Sequence, residues 1–458
     1  MTNEKAMPAA MALTETRPDG GATIERSDFI RATVSVWLGT TMEYVDFALY
    51  GLAAGLVFGD LFFPGTDPAI ALLSGFATYA VGFLARPVGA VVLGRLGDKH
   101  GRKAVLVATI ILMGGSTTLI GALPTFGQVG LLAPALLVFL RICQGFGAGA
   151  ELSGGAIMLA ESSPSRIRGF LSAFIALGSN SGTLLASGVW LLVTQLPKGD
   201  LISWGWRIPF LCSIVITLVA LVIRRLMKES PVFLAERERR LEHAETAAPA
   251  QQDGRGFLAR NKAFFVMLGL RIGENGPSYL AQTFVVGYVT KVLALDKSLS
   301  PTAVFVASLI GFAVIPLAGY ASDRFGRRVT YRAFCVALVL FAFPAFMLMD
   351  TKNPAIVFAT IVVGMALASL GIFAVQAAYG VELFGASNRY TKMATAKEVG
   401  SLLSGGTAPL FASALLVQFG HWWPIAVYFA LTAGIGLVTT FFAPETRGRD
   451  LTLEGDAI

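Results

Sequence analysis

One loop motif occurs twice in this chain, half a sequence apart. Gly94–Lys103 follows the pattern G-x3-D-x2-G-R-[KR], and Gly319–Arg328 repeats it 225 residues later, each copy between two long apolar stretches. A second element, an acid followed seven residues later by an arginine, recurs at Glu161–Arg168 and Glu382–Arg389. Solenoid repeats have periods of about 20–50 residues. A repeat of half the chain therefore indicates that one membrane unit of several helices has been duplicated.

The composition places most of the protein surface in lipid. Hydrophobic residues make up 55% of the chain and charged residues only 14%, with a mean hydropathy of +0.67. Soluble domains carry about 25% charged residues. The net charge of +7 comes from Lys and Arg runs between apolar stretches. Because no basic face with interleaved aromatic residues is present, nucleic acid is not expected as a partner, whereas membrane lipid is.

Twelve apolar stretches are long enough to span a bilayer, which takes about 20 residues. We predict an all-α integral membrane protein of twelve transmembrane helices in two six-helix repeats. The predicted spans are residues 33–58, 70–94, 104–124, 131–158, 169–194, 205–227, 262–290, 302–321, 329–349, 354–379, 392–417 and 423–443. The domains are then a disordered cytoplasmic tail (1–28), an N-terminal six-helix bundle (29–227), a cytoplasmic linker (228–261), a C-terminal six-helix bundle (262–443) and a cytoplasmic tail (444–458).

The distribution of Lys and Arg predicts the orientation of these helices. The loops on one side, together with the linker, contain 21 lysines and arginines, and the loops on the other side contain four. Cytoplasmic loops carry the excess of these residues, so both termini are expected in the cytoplasm. The cysteines Cys143, Cys212 and Cys335 lie within apolar stretches and the three histidines are scattered. We therefore expect no disulfide framework, no metal site, no cofactor and no catalytic residues.

Acids within the apolar stretches indicate an ion pathway. Glu43 and Asp46 lie three residues apart on one helix face. Each would cost about 2.5–3.5 kcal/mol at mid-membrane, against about 0.3–0.6 kcal/mol gained per Leu or Phe. They must therefore face the bundle interior, where acids usually serve ions or protons. A structural pairing, for instance with Arg86, stays open. The candidates for proton coupling, in order of preference, are Asp46, Glu43, Glu151 and Glu274.

Other polar residues within the predicted spans are candidates for contact with a small molecule. Arg271 precedes Glu274 by three residues, and Lys397 stands beside Glu398. Each Arg–acid pair is either an internal salt bridge or part of a binding site, and both interpretations stay open. The run Gly145–Gly149 resembles a nucleotide-binding loop, but it lies within a predicted helix and indicates close helix packing. The candidate substrate-binding residues are Arg86, Arg271, Lys397, Gln144, Asn275, Tyr50, Asn180, Tyr279 and Gln376.

Several segments resemble the major facilitator superfamily and, more narrowly, its metabolite:proton symporter family, which includes proline/betaine, shikimate, α-ketoglutarate and citrate carriers. Besides the loop motifs, the matching segments are Glu43–Gly51, Gly82–Gly89, Arg141–Glu151, Trp204–Phe210, Arg389–Thr391 and Pro444–Gly448. The resemblance implies a proton-coupled symporter of the bacterial cytoplasmic membrane that imports a small organic solute, favoured to be a carboxylate, by alternating access. Several family members have uncharged residues at the positions of Lys397 and Glu398, so the substrate does not follow from the family.

The resemblance also implies that the loop motifs latch the two halves together on the cytoplasmic side. The acid of the motif can accept charge-assisted hydrogen bonds from arginines or lie at a helix N-terminus in one conformation only. The alternative is that these charges only fix the topology. The predicted gate residues are Asp98, Arg102, Lys103, Glu161, Arg168, Asp323, Arg327, Glu382 and Arg389. Other functions left open are an osmolyte carrier of the betaine/proline type, a proton-driven exporter and a nutrient receptor on a transporter scaffold.

Overall fold

Long helices follow the predicted apolar stretches closely. The computed structural model describes residues 26–100, 102–149, 156–157, 159–161, 163–226, 261–386 and 389–458, and within them it contains no β-strand. In the first half the long helices are α1 (Arg26–Ala53), α2 (Pro68–His100), α3 (Arg102–Gly121), α4 (Leu132–Ala148), α5 (Arg168–Val193) and α6 (Arg207–Leu226). A π-helical turn, Ala54–Phe58, and a short helix, Gly59–Phe62, prolong α1.

The second half repeats this succession of helices with more interruptions. Its long helices are α7 (Lys262–Tyr279), α8 (Leu299–Phe325), α9 (Arg327–Asp350), α10 (Pro354–Met365, continued by Ile372–Leu383), α11 (Arg389–Ser404, continued by Thr407–Phe419) and α12 (Trp423–Phe442). The π-helical segments Leu280–Phe284 and Tyr288–Val292 prolong α7, and the π-helical segment Ala366–Gly371 lies within α10. The prediction of an all-helical fold is therefore confirmed.

Eight helical stretches of the described residues are long and apolar enough to cross a membrane, or nine if one bent pair counts as a single span. The bent pair is Lys198–Gly205 with Arg207–Val219, which meet at 42°. The eight are Val36–Phe62, Pro68–Leu93, Ser165–Val193, Leu299–Phe325, Arg327–Asp350, Pro354–Leu383, Arg389–Phe419 and Trp423–Phe442. The apolar parts of α3 and α4 are shorter, so the number of twelve spans stays a prediction.

Burial in this bundle is the reverse of that in a soluble protein. Leu192 and Leu340 are 73% and 70% exposed, whereas Arg141, Arg327 and Glu382 are fully buried. Large apolar side chains on the outside suit contact with lipid tails. Ionised side chains inside a membrane protein pair with one another or face a cavity. The bundle interior is therefore where the chemistry of this protein must lie.

Close backbone contacts fix how α2 packs on α4. A Cβ atom on Gly145 would lie 1.9 Å from the carbonyl oxygen of Gly82, and one on Gly149 would lie 2.1 Å from that of Arg86. Only glycine permits this approach, which is typical of membrane helix pairs. The glycine run of α4 thus packs against a helix, as predicted. The two halves of the chain then meet along α5 with α8 and α10, and along α2 with α11.

Candidate functional site

A cavity lies between the two halves, within the bundle. Helices α1 and α5 form its wall on one side, and α7 and α10 form it on the other. Most of the lining side chains are polar, although the bundle around them is apolar. The lining residues are Tyr44, Ser179, Asn180, Thr183, Glu274, Asn275, Ser278, Tyr279, Gln282, Met365, Ser369, Leu370 and Phe373. A small molecule bound here would contact both halves at once.

Irregular turns in the helices shape this cavity. Tyr279 ends the regular part of α7, and Gln282 lies in the π-helical segment that follows it. Ser369 and Leu370 lie in the π-helical segment of α10. A π-helical turn adds one residue to the turn and changes the direction of the side chains beyond it, and such turns are frequent at functional sites. Two of the four walls are thus built from irregular helix.

Arg86 of α2 is held by carboxylates from both halves. Its Nε donates to Oε2 of Glu398 on α11 at 2.9 Å, and its Nη2 donates to Oε1 of the same residue at 3.4 Å. Its Nη2 also donates to Oε1 of Glu43 on α1 at 3.0 Å. All three side chains are buried. The pairing of Glu43 with Arg86 that the sequence left open is present, and Glu398 joins it from the other half.

Arg271 of α7 forms a second buried centre, whose partners all belong to the second half. Its Nη1 donates to Glu274 at 2.6 Å and to Oε1 of Gln376 at 3.0 Å, and its Nε donates to Ser401 at 3.1 Å. The amide of Asn275 donates to the same Ser401 hydroxyl at 3.0 Å. The Arg–acid spacing on α7 therefore forms an internal salt bridge, whose acid also lines the cavity.

Lys397 lies buried on α11. It forms no ion pair within the described part of the chain, yet it lies within electrostatic reach of Glu43, Glu398, Arg86 and Arg271. We call Glu43, Arg86, Arg271, Glu274, Lys397 and Glu398 the central charge cluster. It holds three carboxylates and three cations, so its formal charge is zero when all are ionised.

Arg141 of α4 is enclosed by aromatic rings instead of carboxylates. The carbon of its guanidinium lies 4.9 Å from the ring centre of Phe47, 4.2 Å from that of Tyr50 and 4.7 Å from that of Tyr79. It also donates to the carbonyl oxygen of Tyr79 at 3.4 Å and to Gln144. Cation–π contacts of this kind are worth about 2 kcal/mol or more when desolvated.

The remaining predicted substrate residues divide into two groups. Asn180, Asn275 and Tyr279 line the cavity. Tyr50 instead donates to Thr78 at 2.8 Å and stacks on Arg141, and Gln144 donates to Thr117 at 2.7 Å. Gln376 donates to the carbonyl oxygen of Leu270 at 3.1 Å, so it braces α7. The lining residues of the cavity do not include Tyr50, Gln144 and Gln376.

The second loop motif joins the two halves at one end of the bundle, which we call the motif end. Oδ1 of Asp323 accepts from the backbone N–H of Gly169 at 2.8 Å, and Oδ2 accepts from that of Phe170 at 2.8 Å. Oδ1 also accepts from Arg327 at 2.8 Å. The acid of the motif thus lies at the N-terminus of α5 and is held by an arginine, which are the two arrangements predicted for it.

The recurring acid–arginine elements pair across the halves at the motif end. Arg389 donates to Glu161 at 2.5 Å, and Arg168 donates to Glu382 at 3.2 Å. Arg327 donates to Oε2 of Glu382 at 3.0 Å. The described residues do not include the side chains of Asp98, Arg102 and Lys103 or any part of Glu151. The roles predicted for these four residues therefore stay predictions.

The segment after α12 also binds to the motif end. Arg168 donates to the carbonyl oxygen of Arg449 at 2.8 Å, and Arg389 donates to that of Leu451 at 2.6 Å. The carboxylate of Glu445 accepts from the backbone N–H groups of Arg327 at 2.8 Å and Arg328 at 3.1 Å. Residues 444–458, predicted only as a tail, are therefore an ordered part of this end.

The opposite end of the bundle is closed by other means. A Cβ atom on Gly55 would lie 2.9 Å from the backbone nitrogen of Gly287, so the two halves touch backbone to backbone. Beside this contact Lys291 forms an ion pair with Asp60 at 2.6 Å. The two halves are thus in contact at both ends of the bundle.

Comparisons with known proteins agree with this architecture. Residues 36–396 match the sequence profile of the Major Facilitator Superfamily, which is more than half of the chain. The chain belongs to the major facilitator superfamily. It is 42% identical to the putative transporter YdfJ of Escherichia coli (strain K12) over 90% of this chain and 96% of that protein. It is 36% identical to the shikimate transporter of the same organism, over 95% and 99% of the two chains.

Other major facilitator proteins are more distant but cover the same length. The proline/betaine transporter of Escherichia coli (strain K12) is 33% identical, over 92% of this chain and 84% of that protein. A solved structure of the proton:xylose symporter XylE, with 17% identity, has a TM-score of 0.72 over 94% of this chain and 99% of that chain. The chain is therefore a transporter of the bacterial cytoplasmic membrane with several spans, and it is not an enzyme.

The sequence prediction does not include Glu398 among the residues of this major facilitator site. Glu398 lies inside a predicted span, so the cost of burying a charge applies to it as it does to Glu43. Lys397 beside it is predicted as a cation of the site, and adjacent residues on a helix point in different directions, so the inward direction of Glu398 does not follow from that of Lys397. Tyr44 and Ser401 were missed for a different reason, because single polar residues within apolar helices carry no pattern.

Proposed function

We propose that this chain is a proton-coupled symporter that imports a small organic anion, a carboxylate, by alternating access. The observation that carries the proposal is the central charge cluster, with three carboxylates and three cations beside a polar cavity. The relatives support the class of activity, and the name of the 36% identical shikimate transporter supports a carboxylate.

Charge balance links the anion to the proton. The cluster has no net formal charge when it is empty, and uncompensated charge in a membrane interior is costly. A monoanion entering the cavity would leave one negative charge in excess. Protonation of one carboxylate restores neutrality, so the loaded site favours the anion and the proton together. Glu43 and Glu274 of the cluster are proposed proton carriers, together with Asp46 and Glu151, which do not belong to the cluster as defined above.

The substrate in this proposal contacts both halves. Asn180 and Tyr279, on opposite walls of the cavity, offer hydrogen bonds to a polar solute. Arg86, Arg271 and Lys397 offer the positive charge for its carboxylate. Arginine suits this role because its planar fork matches a carboxylate with two parallel hydrogen bonds.

We further propose that twelve helices cross the membrane with both termini in the cytoplasm. The count of 21 lysines and arginines on one side against four on the other supports this orientation. The motif end is then cytoplasmic. Contacts between the halves at both ends support our assignment of this structure to an occluded state between outward and inward opening. The ion pairs at the motif end form the proposed cytoplasmic gate.

A second candidate is an osmolyte carrier for betaine- or proline-type zwitterions. Aromatic side chains surround the cavity, with Tyr44, Tyr279 and Phe373 among the lining residues and Phe47 and Tyr79 in an adjoining pocket. Aromatic cages bind quaternary ammonium groups through cation–π contacts. The 33% identical proline/betaine transporter is consistent with this alternative. A zwitterion would add no net charge to the cluster, so the charge argument favours the anion.

Uptake into proteoliposomes distinguishes these functions. The probes are shikimate, citrate, α-ketoglutarate and glycine betaine, each labelled with a radioisotope. One pH unit supplies about 1.4 kcal/mol per proton, or roughly tenfold accumulation. A monoanion such as shikimate, entering with one proton, carries no net charge, so a potassium diffusion potential at constant pH should not drive it. α-Ketoglutarate and citrate have two and three carboxylates and need as many protons for the same neutrality. A zwitterion with one proton would gain about 2.3 kcal/mol per 100 mV.

The outcomes separate clearly. Accumulation of a monocarboxylate on a pH gradient, without response to the diffusion potential, supports the proposal. Strong stimulation of betaine uptake by the potential supports the osmolyte carrier instead. Binding without accumulation of any probe would identify a receptor and contradict symport.

A further inference from the structure

The contact between Arg86 and Glu398 joins the two halves inside the bundle, and neither residue is among the lining residues of the cavity. Arg86 belongs to α2 of the first half and Glu398 to α11 of the second. The Nε and Nη2 atoms of the arginine face the two carboxylate oxygens at 2.9 and 3.4 Å. This is the two-point geometry with which arginine recognises carboxylates. In the charge argument of the proposed function, Glu398 counts only as one of three acids of the cluster. Its two-point contact with Arg86 indicates a more specific role.

We infer that Glu398 is an internal substitute for the carboxylate of the substrate. In the empty occluded carrier it fills the anion site on Arg86. When Glu398 takes up the coupled proton, which the proposed carriers relay from water, it releases the arginine, and the carboxylate of the substrate takes its place. This inference rests on the proposed function, because it assumes an anionic substrate and proton coupling.

The donors of Arg86 show that a substrate would compete with Glu398 for the Nε–Nη2 edge of the guanidinium. A guanidinium has five N–H donors arranged as two forked edges. In the described part of the chain, the Nε–Nη2 edge is taken by Glu398, and Nη2 also donates to Glu43. Phe47 and Phe83 lie against the guanidinium, with ring centres 5.0 and 5.5 Å from its central carbon. These rings limit approach from the faces, so a carboxylate must approach an edge.

The surroundings of Glu398 explain why its release requires a proton. The charged groups within its electrostatic reach are Arg86 on α2, Arg271 on α7 and Lys397 on its own helix, with Glu43 of α1 sharing Arg86. An ionised Glu398 displaced from Arg86 would be a buried charge without its partner, which costs several kcal/mol. The protonated acid has no such cost. The proton moves from water to the carboxylate, and only hydrogen bonds are exchanged.

This exchange would make transport obligatorily coupled. A protonated Glu398 without substrate leaves Arg86 short of one anion, and a substrate without the proton leaves one anion in excess. Both states carry unbalanced charge at the contact between α2 and α11. The empty deprotonated carrier and the carrier loaded with proton and anion are both balanced, and only these two states change between inward and outward opening.

The test compares Glu398→Gln with the wild type in the same proteoliposomes, using whichever of shikimate, citrate and α-ketoglutarate the wild type accumulates. The amide cannot carry the proton, so accumulation on a pH gradient should be lost while exchange of labelled for unlabelled probe persists. In the wild type the Kd of the probe should rise about tenfold per pH unit above the pKa of the coupled proton. In Glu398→Gln it should not vary with pH.

Asp350→Asn is the matched control, because it removes the same charge from an exposed position at the end of α9. It should keep both accumulation and the pH dependence of the Kd. Glu398→Asp keeps a titratable acid and covers the case in which Glu398→Gln does not fold. Addition of the probe to the wild type should produce an infrared band of a protonated carboxyl group, and this band should shift in Glu398→Asp.

Each result bears on a separate statement. Wild-type accumulation that persists in Glu398→Gln, or a carboxyl band unaffected in Glu398→Asp, overturns the role of Glu398 and leaves the proposed symport intact. Absence of proton-driven accumulation of all three probes in the wild type overturns the anion symport and this inference with it.

Discussion

Arg389 donates to the carboxylate of Glu161 at 2.5 Å, so an arginine of the second half holds an acid of the first. The reverse pair, Arg168 with Glu382 at 3.2 Å, has the halves exchanged. Within each repeat the acid precedes the arginine by seven residues. Each half thus supplies one acid and one arginine from the same two positions of the repeated unit. The acid of each half pairs with the arginine of the other half. The motif end is closed by a symmetrical pair of contacts.

The acid of the second loop motif should control opening of the motif end. Asp323→Asn removes the negative charge from the N-terminus of α5, which should weaken closure by about 1–2 kcal/mol. Turnover should fall while the affinity for the solute stays the same, because Asp323 lies away from the cavity. Asp98→Asn is expected to act in the same direction.

Ser172 is a buried residue of α5, three residues beyond Gly169. Maleimide labelling of Ser172→Cys, in a background without the three native cysteines, measures this opening. Faster labelling in Asp323→Asn than in the Asp350→Asn control is the expected result. Loss of solute affinity with an unchanged labelling rate would contradict the role in gating.

At least one acid within the predicted spans should carry the coupled proton. We expect Asp46→Asn, Glu43→Gln, Glu151→Gln or Glu274→Gln to abolish accumulation on a pH gradient and to retain part of the exchange activity. The reason is that an amide keeps the shape of the acid but cannot release a proton. Parallel uptake and exchange assays measure the two activities. Accumulation in all four variants would refute this assignment.

The shape of the Arg86 side chain should matter as much as its charge. Arg86→Lys keeps the positive charge but loses the fork that meets Glu398 and, in our proposal, the substrate. We expect the KM for the transported carboxylate to rise at least about tenfold, which corresponds to about 1.4 kcal/mol. Arg207→Lys is the control, since Arg207 donates only to backbone carbonyls of Gly121 and Leu123 in the described structure. An unchanged KM in Arg86→Lys would argue against an arginine-bound anion.

The turn between α8 and α9 should tolerate no side chain. Gly326 has φ of +99° and ψ of 156°, and a Cβ atom there would lie 2.5 Å from Glu445. Non-glycine residues in this region cost about 1–3 kcal/mol, so Gly326→Ala should lower the thermal unfolding temperature in detergent. Gly434→Ala, within α12 and with open space around it, should leave the temperature unchanged or raise it. Equal effects of the two variants would contradict the strained turn.

The helices could be predicted from the sequence because each one is a continuous stretch of apolar residues bounded by charged or glycine-containing turns. The presence of acid–arginine pairs at the motif end could be predicted, since both halves repeat the same acid and arginine. Their crossed pairing could not, because Glu161 and Arg389 are 228 residues apart and either arginine could in principle serve either acid. Partners across the halves follow from the docking of two bundles, which no local pattern encodes.

Contacts between residues far apart in the sequence also account for the parts of the site that could not be predicted. Glu398 meets Arg86 over a separation of 312 residues, so only the packing of α11 on α2 reveals the contact. The segment after α12 is polar and has no helical periodicity, which is typical of a tail. Its order comes from arginines elsewhere in the chain, since Arg168 and Arg389 donate to its backbone carbonyls.

The ion pair between Lys291 and Asp60 differs from those of the motif end in its access to the medium. Its side chains are 17% and 37% exposed, whereas Arg327 and Glu382 are fully buried. Dissolved salt screens exposed charges over about 10 Å at 0.1 M and screens buried pairs much less. In the proposed orientation the exposed pair faces the outside of the cell. A rise in external salinity would therefore loosen the outer closure alone, so that the cell's surroundings tune how readily the carrier opens toward them.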